Sequence, residues 1–386
     1  MLKTVKPKGD LEIANESKAG YVLVVASSGR LLAQTARVAG FKPLVIDLFA
    51  DQDTQHYADD FKQIISLAKQ HLMPAVAYFI KTYQVDKVVY GSGFEHHPES
   101  LCYLNSCLSL LGNTPEVFID LHDKPAFFAT IKHLAIPYPK VYFNKPDEFG
   151  DWLIKPMRGQ GGVGIKHYLG AEVAADSYWQ RYQTGKQYSV LFLADGLHLQ
   201  VVGFNSQWTT CLDDSREFMF SGIINACDLK TEQQSQVVDW LKILVPWFKL
   251  KGLNSLDFIN DGDCSWLLEI NPRPSASMQL YEADLFNRHV RASLGELTAE
   301  LPTLSSYTGY QVLYAQHDIM IPDGFIWPEN CLDLPETGVI CRTGQPICSI
   351  MSHKMQAHLV MSELQTQQIN LQKRFSSWNI KLASIN

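Results

Sequence analysis

The sequence lacks a lysine- or arginine-rich arm, a long apolar segment and any closely spaced cysteine pair. Its 386 residues carry a formal charge of -7, which makes nucleic acid and anionic membranes poor candidates for the main partner. No apolar run approaches the roughly 20 residues needed to cross a bilayer. We therefore expect small-molecule partners, with no nucleic acid and no membrane.

The 8 cysteines are scattered, and none lies in a CxxC motif. Disulfide scaffolds and zinc ribbons show different spacings, so reduced thiols in a cytoplasmic protein are expected. The first stretch, MLKTVKPKGDLEIANESKAG, has no apolar core of the kind that a signal peptide carries. It predicts a loose leader over residues 1–20.

The first half of the chain alternates apolar runs with helical patterns. YVLVVA, KPLVIDLF and DKVVYGSGF predict strands. Between them, LLAQTARVAG predicts a helix closed by Gly40, and a long amphipathic helix is predicted from about Phe61 to Tyr83. This order predicts βαβ units and a parallel sheet with a ligand crevice at the carboxyl ends of its strands.

From about residue 115 the pattern changes to hairpins with helices between them. QYSVLFLADGLHLQVVGFN predicts a hairpin that turns at Asp195-Gly196, and GLNSLDFINDGDCSWLLEIN predicts a second around Asp261-Gly262. The tail from about residue 300 contains short β-like pieces and a helix from about Lys354 to Arg374. An antiparallel α+β region is therefore expected after the first domain.

A glycine cluster stands between two predicted strands in LIKPMRGQGGVGI. Gly159, Gly161, Gly162 and Gly164 allow backbone N–H groups to approach a polyphosphate closely, and Lys155 ends the preceding strand. The spacing is not that of a P-loop, and no helix follows as in a dinucleotide fingerprint. A flexible hairpin loop is the alternative reading.

Two carboxylates and an amide face each other across the second hairpin. Glu269 and Asn271 are two apart in WLLEINPRPSAS and share a strand face, while Asp257 in SLDF falls roughly opposite Glu269. Like charges directly opposite destabilise a sheet, and a hard cation such as Mg²⁺ would offset them. A solvated strand face is the alternative for any one of these residues.

Arg273 follows this group between Pro272 and Pro274. The two prolines stiffen the backbone, so the guanidinium direction is expected to be fixed. An arginine held in this way beside a metal site suits a developing oxyanion or a substrate carboxylate. An isolated surface arginine is the alternative.

Two loops at the carboxyl ends of first-domain strands carry candidate substrate residues. SSGR contains Ser28 and Arg30, and GSGFEHHPES contains Glu95, His96 and His97. Neighbouring histidines point in different directions, which disfavours a metal chelate by both. Ser28, Arg30, Glu95 and His97 are predicted to meet substrate, with solvated surface residues as the alternative.

Read in order, LLGNTPEV…DK, LIKPMRGQGGVGI, GKQYSV, LNSLDF and LLEINPRPSAS resemble the successive signatures of the ATP-grasp superfamily. The resemblance covers about residues 110 to 280. Within the superfamily the chain most resembles the small ATP-dependent carboligases, which include tyramine–glutamate ligase of methanofuran synthesis. Some of these carboligases assemble one-carbon carrier cofactors of the methanofuran and tetrahydromethanopterin type.

The resemblance implies an α/β N-terminal parallel-sheet (pre-ATP-grasp) domain followed by α+β ATP-grasp domains. The implied boundaries are 21–113 for the pre-ATP-grasp domain, 114–186 for a small ATP-binding subdomain, 187–300 for a larger subdomain with the metal site, and 301–386 for a β-rich extension with a terminal helix.

The resemblance also implies residue roles. Lys124 and Lys155 would hold ATP phosphates beneath the glycine loop, and Arg273 would stabilise the acyl phosphate or its tetrahedral adduct. The implied adenine and ribose contacts come from Gln180, Arg181, Tyr182 and Gln187, and the implied ligands of Mg²⁺, or alternatively Mn²⁺, are Asp257, Glu269 and Asn271. Gln187 stands where such enzymes often carry a glutamate, but an amide still hydrogen-bonds a hydroxyl.

The activity implied by the resemblance is that of an ATP-dependent carboxylate–amine ligase. The enzyme is expected in the cytoplasm, with a homodimer as a possible assembly. A nucleotide-binding sensor or subunit without ligase activity is the alternative from another class. A third reading is an enzyme that stops at phosphoryl transfer or carboxylation.

Overall fold

The computed structural model describes residues 20–170, 173–282, 284–297 and 300–383, with side chains up to residue 376. The predicted leader therefore lies outside the described residues, apart from Gly20. Among the described residues, no helix combines the length and apolar character needed to cross a membrane.

The N-terminal part is a five-stranded sheet with helices on both faces. All four strand pairings are parallel, in the order β3-β2-β1-β4-β5. Its elements are β1 Tyr21–Val25, α1 Arg30–Val38, β2 Lys42–Asp47, α2 Gln52–Tyr57, β3 Asp60–Gln63, α3 Lys69–Tyr83, β4 Lys87–Tyr90, α4 Pro98–Cys107, β5 Ser109–Leu111 and α5 Pro115–His122. The apolar runs of β1 and β2 are almost wholly buried, as strands covered on both faces must be.

The predicted start of the long helix, at about Phe61, is wrong. Residues 60–63 form β3, which pairs in parallel with β2, and α3 begins only at Lys69. Apolar residues at 61, 64 and 65 imitate helical spacing, and a four-residue strand is too short to show a clear alternation.

A small four-stranded antiparallel sheet follows, in the order β6-β9-β7-β8. Its elements are α6 Lys124–His133, β6 Val141–Tyr142, β7 Trp152–Pro156, β8 Lys166–His167 and β9 Ser177–Arg181. The Asp123 side chain caps α6 by accepting a hydrogen bond from the backbone of Ala126 at 3.1 Å, which fixes the first turn that carries Lys124. The glycine cluster connects β7 to β8.

The rest of the chain builds an eight-stranded sheet in the order β14-β13-β10-β11-β12-β15-β19-β17. The elements are β10 Lys186–Asp195, β11 Leu199–Thr210, β12 Met219–Ile224, α7 Thr231–Phe248, β13 Lys251–Asn260, β14 Ser265–Asn271, α8 Leu285–Ser293, β15 Tyr307–Tyr314, β16 Ile319–Met320, β17 Cys331–Leu332, β18 Ile340–Cys341, β19 Pro346–Lys354 and α9 Ala357–Ala383. β16 and β18 pair separately.

Both predicted hairpins are present: β10 pairs with β11, and β13 pairs with β14. Gly196 and Gly262 take φ angles of 101° and 106° in their turns, where a side chain would be strained. The tail strands β15 and β19 continue the same sheet. The last helix begins at Ala357 and not, as predicted, at Lys354. Lys354 is the final residue of β19.

The N-terminal sheet packs on the large sheet through a shared apolar core and a buried histidine. Val22 and Leu111 lie in one cluster with Leu193 and Leu253. His289 accepts a hydrogen bond from the Leu253 backbone at its Nδ1 and donates from Nε2 to the Leu111 carbonyl at 3.2 Å. Burial lowers the pKa of His289 to about 4, so the neutral ring joins the two sheets.

Candidate active-site cleft

A cleft of about 320 Å³ separates the small sheet from the large one. Both sheets, the start of α6 and the glycine loop contribute to its walls. The predicted site residues on its lining are Lys124, Lys155, Gly159, Gly161, Gly162, Gln180, Arg181, Tyr182, Gln187, Asp257, Glu269, Asn271 and Arg273. Gly164, Ser28, Arg30, Glu95 and His97 lie off the lining.

The floor of the cleft is the β13–β14 hairpin. Asp257 and Glu269 are direct partners in the strand register, and a bulge follows Asp257. Asn271 donates its amide Nδ2 to Asp257 Oδ2 at 3.1 Å. Burial and the charge of Glu269 raise the pKa of Asp257 to about 7. This pair of carboxylates with an amide oxygen is a donor set that fits a hard divalent cation.

Two lysines face the acidic floor. Lys124 Nζ lies 3.5 Å from Glu269 Oε2, and Lys155 Nζ donates to Gln180 Oε1 at 3.1 Å. Burial lowers the pKa of Lys155 to about 8, although the charge of Glu269 opposes that shift. Burial alone would raise the pKa of Glu269, but Lys124 and Lys155 outweigh it and hold the pKa below its ordinary value. The cationic wall is therefore suited to an anionic ligand.

The glycine loop lies against the large sheet. Gly161 accepts a hydrogen bond at its carbonyl from the backbone of Phe220 at 2.9 Å, and a Cβ atom at residue 162 would lie 1.8 Å from the carbonyl oxygen of Phe218. Gly161, Gly162 and Gly164 all have positive φ angles, between 63° and 82°. Only glycine accommodates both this backbone and this approach.

Gln180, on β9, lies beside Lys155 on the small-sheet wall of the cleft. Gln180 pairs with Leu153 in the β7–β9 register and is 2% exposed. Its Oε1 accepts from Lys155, while its Nε2 is buried with no hydrogen-bond partner among the described residues. A buried amide donor without a partner is costly, which is consistent with a wall that a polar ligand completes.

Arg273 is held by two side chains. Its Nε and Nη2 donate to Glu95 Oε1 at 3.2 and 3.0 Å, and Nη2 also donates to Asn271 Oδ1 at 3.2 Å. Glu95, predicted to meet substrate, is 3% exposed and lies behind the arginine. These two contacts fix the direction of the guanidinium.

Asn113 and Tyr90 also contact this region, although the sequence did not predict either as a site residue. Asn113 Nδ2 and the Tyr90 hydroxyl both donate to the carbonyl of Pro272, at 3.0 and 2.9 Å. Asn113 Oδ1 also accepts from the backbone of Lys251 at 2.8 Å. The LLGNTPEV motif contained Asn113, yet its partners lie more than a hundred residues away in the sequence.

The remaining predicted substrate residues lie elsewhere. Arg30 is 2% exposed, and its Nε donates to Asp333 Oδ1 at 3.0 Å, while its two terminal nitrogens donate to Gln34 and Gln279. It is thus committed to an internal ion pair with the C-terminal part of the chain. His97 is half-buried, 3.5 Å from Glu99. Ser28, also half-buried, precedes α1.

Asp51, near the Arg30–Asp333 pair, is buried among like charges. Burial and the charges of Asp333, Asp53 and Asp47 raise its pKa from 3.8 to about 8, and the charge of Arg30 opposes the shift. A folded-state pKa above the unfolded one means that folding favours the protonated carboxyl. Its stabilising contribution is therefore complete below the unfolded pKa and is lost as the pH rises through about 8.

Asp51→Asn is accordingly expected to exceed wild type in free energy of unfolding by a margin that grows between about pH 5 and about pH 9, by at least about 1 kcal/mol. Urea denaturation at both pH values measures the difference. The exposed Asp147→Asn variant serves as control, with no pH-dependent gain. Equal stability of Asp51→Asn and wild type at the higher pH would contradict the assignment.

Residues 121–277 match the ATP-grasp domain family. The chain contains an ATP-grasp domain. The superfamily prediction is thus confirmed for this segment of the chain. A relative, an uncharacterised protein of Methanocaldococcus jannaschii, is 22% identical over 260 residues. The aligned part spans 63% of this chain and 64% of that protein's length.

Solved structures share this fold along most of the chain, which confirms the predicted fold class. The beta-gamma-ATP complex of biotin carboxylase from Campylobacter jejuni gives a TM-score of 0.69 at 12% identity over 88% of this chain and 89% of its own. N5-carboxyaminoimidazole ribonucleotide synthetase of Thermotoga maritima gives 0.66 at 14%, over 90% and 98%. L-amino acid ligase of Bacillus licheniformis gives 0.66 at 10%, over 91% and 97%.

Proposed function

We propose that the protein is an ATP-dependent carboxylate–amine ligase that forms an amide through an acyl phosphate. The observation that carries the proposal is the opposition of Asp257 and Glu269, in direct register, to Lys124 and Lys155 across the cleft. Such an arrangement suits a polyphosphate with a bound cation, because the carboxylates can bind the cation while the lysines pair with the phosphate oxygens.

Asp257, Glu269 and Asn271 would hold Mg²⁺, or Mn²⁺, which supplies neutralisation of the phosphate charges. Lys124 and Lys155 would contact the phosphates, and the loop from Gly159 to Gly164 would cover them. The implied base and ribose contacts are Gln180, Arg181, Tyr182 and Gln187. The first three lie on β9 or directly after it, and Gln187 lies near the start of β10 in the large sheet.

In the proposed reaction, a substrate carboxylate oxygen attacks the γ-phosphorus of ATP, and ADP leaves. The amine then attacks the acyl carbon, and inorganic phosphate leaves as the amide forms. Lys124, Lys155 and Arg273 offset the negative charge as two anions approach each other. The glycine loop would exclude water, which would otherwise hydrolyse the acyl phosphate.

The assignment of a biosynthetic role rests on the motif resemblance to the small ATP-dependent carboligases. On that basis we propose a role in the synthesis of a one-carbon carrier cofactor of the methanofuran or tetrahydromethanopterin type. The names of the structural neighbours include both an amino acid ligase and carboxylases, so the test has to separate amide formation from carboxylation. The same proposal includes a cytoplasmic location and a homodimer.

ADP release with paired substrates tests the proposal. Glutamate and other amino acids would serve as acids, and tyramine-like amines as nucleophiles. We expect ADP release that needs both partners, and transfer of one ¹⁸O atom from a labelled carboxylate into the released phosphate. Bicarbonate-dependent ADP release would instead identify a carboxylase, and ATP binding without release over the panel would identify a nucleotide-binding protein without ligase activity.

The glycine loop gives a separate prediction about the nucleotide. Gly162→Ala is expected to weaken binding of the non-hydrolysable analogue AMP-PNP with Mg²⁺ by about tenfold, or about 1.4 kcal/mol, because the new methyl group would displace the loop from Phe218. Isothermal titration calorimetry measures this affinity. Gly161→Ala is the matched variant, since its φ is also positive but no atom lies within 4 Å of the new methyl group. Equal losses in both variants would show that backbone strain, not the Phe218 contact, is responsible.

A further inference from the structure

Glu95 is held in a single orientation by its own loop. It lies in a 3₁₀ turn, Phe94–His96, that follows β4 in the N-terminal sheet. The backbone N–H of Gly93 donates to Glu95 Oε2 at 2.9 Å. Gly93 has a φ of 108°, and a Cβ atom there would lie 2.0 Å from Ser27 Oγ, so this loop geometry depends on glycine. One carboxylate oxygen is thereby committed to the loop and the other is directed outward.

The outward oxygen, Oε1, accepts two hydrogen bonds from one edge of the Arg273 guanidinium, from Nε and Nη2. The second hydrogen of Nη2 faces Asn271 Oδ1. Nη1 has no hydrogen-bond partner among the described residues, and Arg273 lines the cleft. The contact with Glu95 therefore leaves Nη1 as the free donor of the guanidinium.

We propose that Glu95 is a positioning residue, which directs the free Nη1 edge of Arg273 at the reacting acyl group. The inference rests on the proposed ligase function and adds a residue from the N-terminal domain to it. Glu95 itself touches no substrate, because it is 3% exposed and lies off the cleft lining. Its effect passes through Arg273.

The electrostatics of the pair agree with this role. Burial would raise the pKa of Glu95, but the Arg273 charge reverses that effect and holds the pKa below its ordinary value. The carboxylate is therefore ionised beside the guanidinium, and charge-assisted hydrogen bonds of this kind are stronger and more directional than neutral ones.

The backbone of Arg273 is fixed by other groups. The carbonyl of Pro272 accepts from the Tyr90 hydroxyl and from Asn113 Nδ2, and neither bond involves Glu95. A change at Glu95 should thus release the guanidinium without moving the chain that carries it. This separation allows positioning of the side chain to be tested apart from folding.

The test compares Glu95→Gln and Glu95→Ala in the full-length protein, with Glu99→Gln as control. Gln retains an acceptor for Nε, while Ala retains none. Glu99 lies on the next turn, and its side chain is 54% exposed. With any acid–amine pair that supports ADP release, we expect kcat to fall roughly tenfold in Glu95→Gln and up to roughly a hundredfold in Glu95→Ala. AMP-PNP affinity and the control's kcat should stay at wild-type values.

Combination with Arg273→Lys separates positioning from a general structural defect. If Glu95 acts only through Arg273, the double variant should be little slower than Arg273→Lys alone. Fully multiplicative losses, or wild-type kcat in Glu95→Ala, would overturn the proposal. A fall in AMP-PNP affinity equal to the fall in kcat would also overturn it, because that pattern indicates a disturbed cleft.

A crystal structure of Glu95→Ala gives a readout independent of turnover. We expect the Arg273 backbone to keep its place while the guanidinium takes a different or multiple orientation. An unchanged, ordered guanidinium would overturn the inference whatever the activity. Absence of ADP release from the wild-type protein with every pair would contradict the proposed ligase function instead, and the crystallographic result would still decide the role of Glu95.

Discussion

Glu269→Ala is expected to abolish turnover while leaving the fold intact, with a loss in ADP release of at least roughly a hundredfold. Glu269 is half-exposed into the cleft, opposite Asp257 and 3.5 Å from Lys124, so its removal takes away charge and no core volume. The substitution would leave Asp257 and Asn271 as an incomplete cation site beside two uncompensated lysines. Steady-state ADP release and circular-dichroism unfolding measure the two halves of the prediction.

Asp263→Ala is the matched control for that experiment. Asp263 is exposed in the turn of the same hairpin and lies off the cleft lining. We expect wild-type turnover in this variant. If Glu269→Ala turned over normally, or if both variants lost activity together, the assignment of Glu269 as a metal ligand would be wrong.

Arg273→Lys is expected to lower kcat by roughly 10²–10³-fold, the usual loss when a preorganised donor to a developing oxyanion is removed. The guanidinium contacts Glu95 and Asn271 at the same time, and its Nη1 has no hydrogen-bond partner among the described residues. A lysine ammonium carries the charge as a single point and cannot keep all three directions. The KM for ATP should change far less than kcat, because the phosphates are assigned to Lys124 and Lys155.

Arg291→Lys provides the control for the arginine experiment. Arg291 lies at the exposed end of α8, 3.3 Å from Glu296, where an ion pair contributes little. Near-normal kinetics in Arg273→Lys would show that Arg273 has only a structural role. Equal loss in kcat and in nucleotide affinity would instead place it among the phosphate contacts.

The acidic floor could be predicted from the sequence because its geometry is local. Strand periodicity and a short turn fix which residues of the β13–β14 hairpin share a face, and the observed register pairs Asp257 with Glu269 as expected. The glycine loop between β7 and β8 was predictable for the same reason. The hairpin contact between Asn271 and Asp257 spans 14 positions.

The role of Glu95 was not predictable, because its partner Arg273 lies 178 positions away. Arg30 illustrates the same limit in the opposite direction: it was predicted to meet substrate, yet Asp333, 303 positions later, neutralises the arginine. Which loops of the N-terminal sheet face the cleft depends on how two sheets pack, and His289 takes part in that packing. No short sequence pattern encodes such a contact.

Binding of AMP-PNP, measured by isothermal titration calorimetry in the presence of Mg²⁺ and again in EDTA, tests the central claim most directly. That claim is that the β13–β14 floor and the lysine wall together hold a metal-bound triphosphate. We expect binding with Mg²⁺, a loss of at least roughly tenfold in EDTA, and a matching loss in Glu269→Ala with Mg²⁺ present. Affinity that is the same with and without the metal, and unaffected by Glu269→Ala, would contradict the claim.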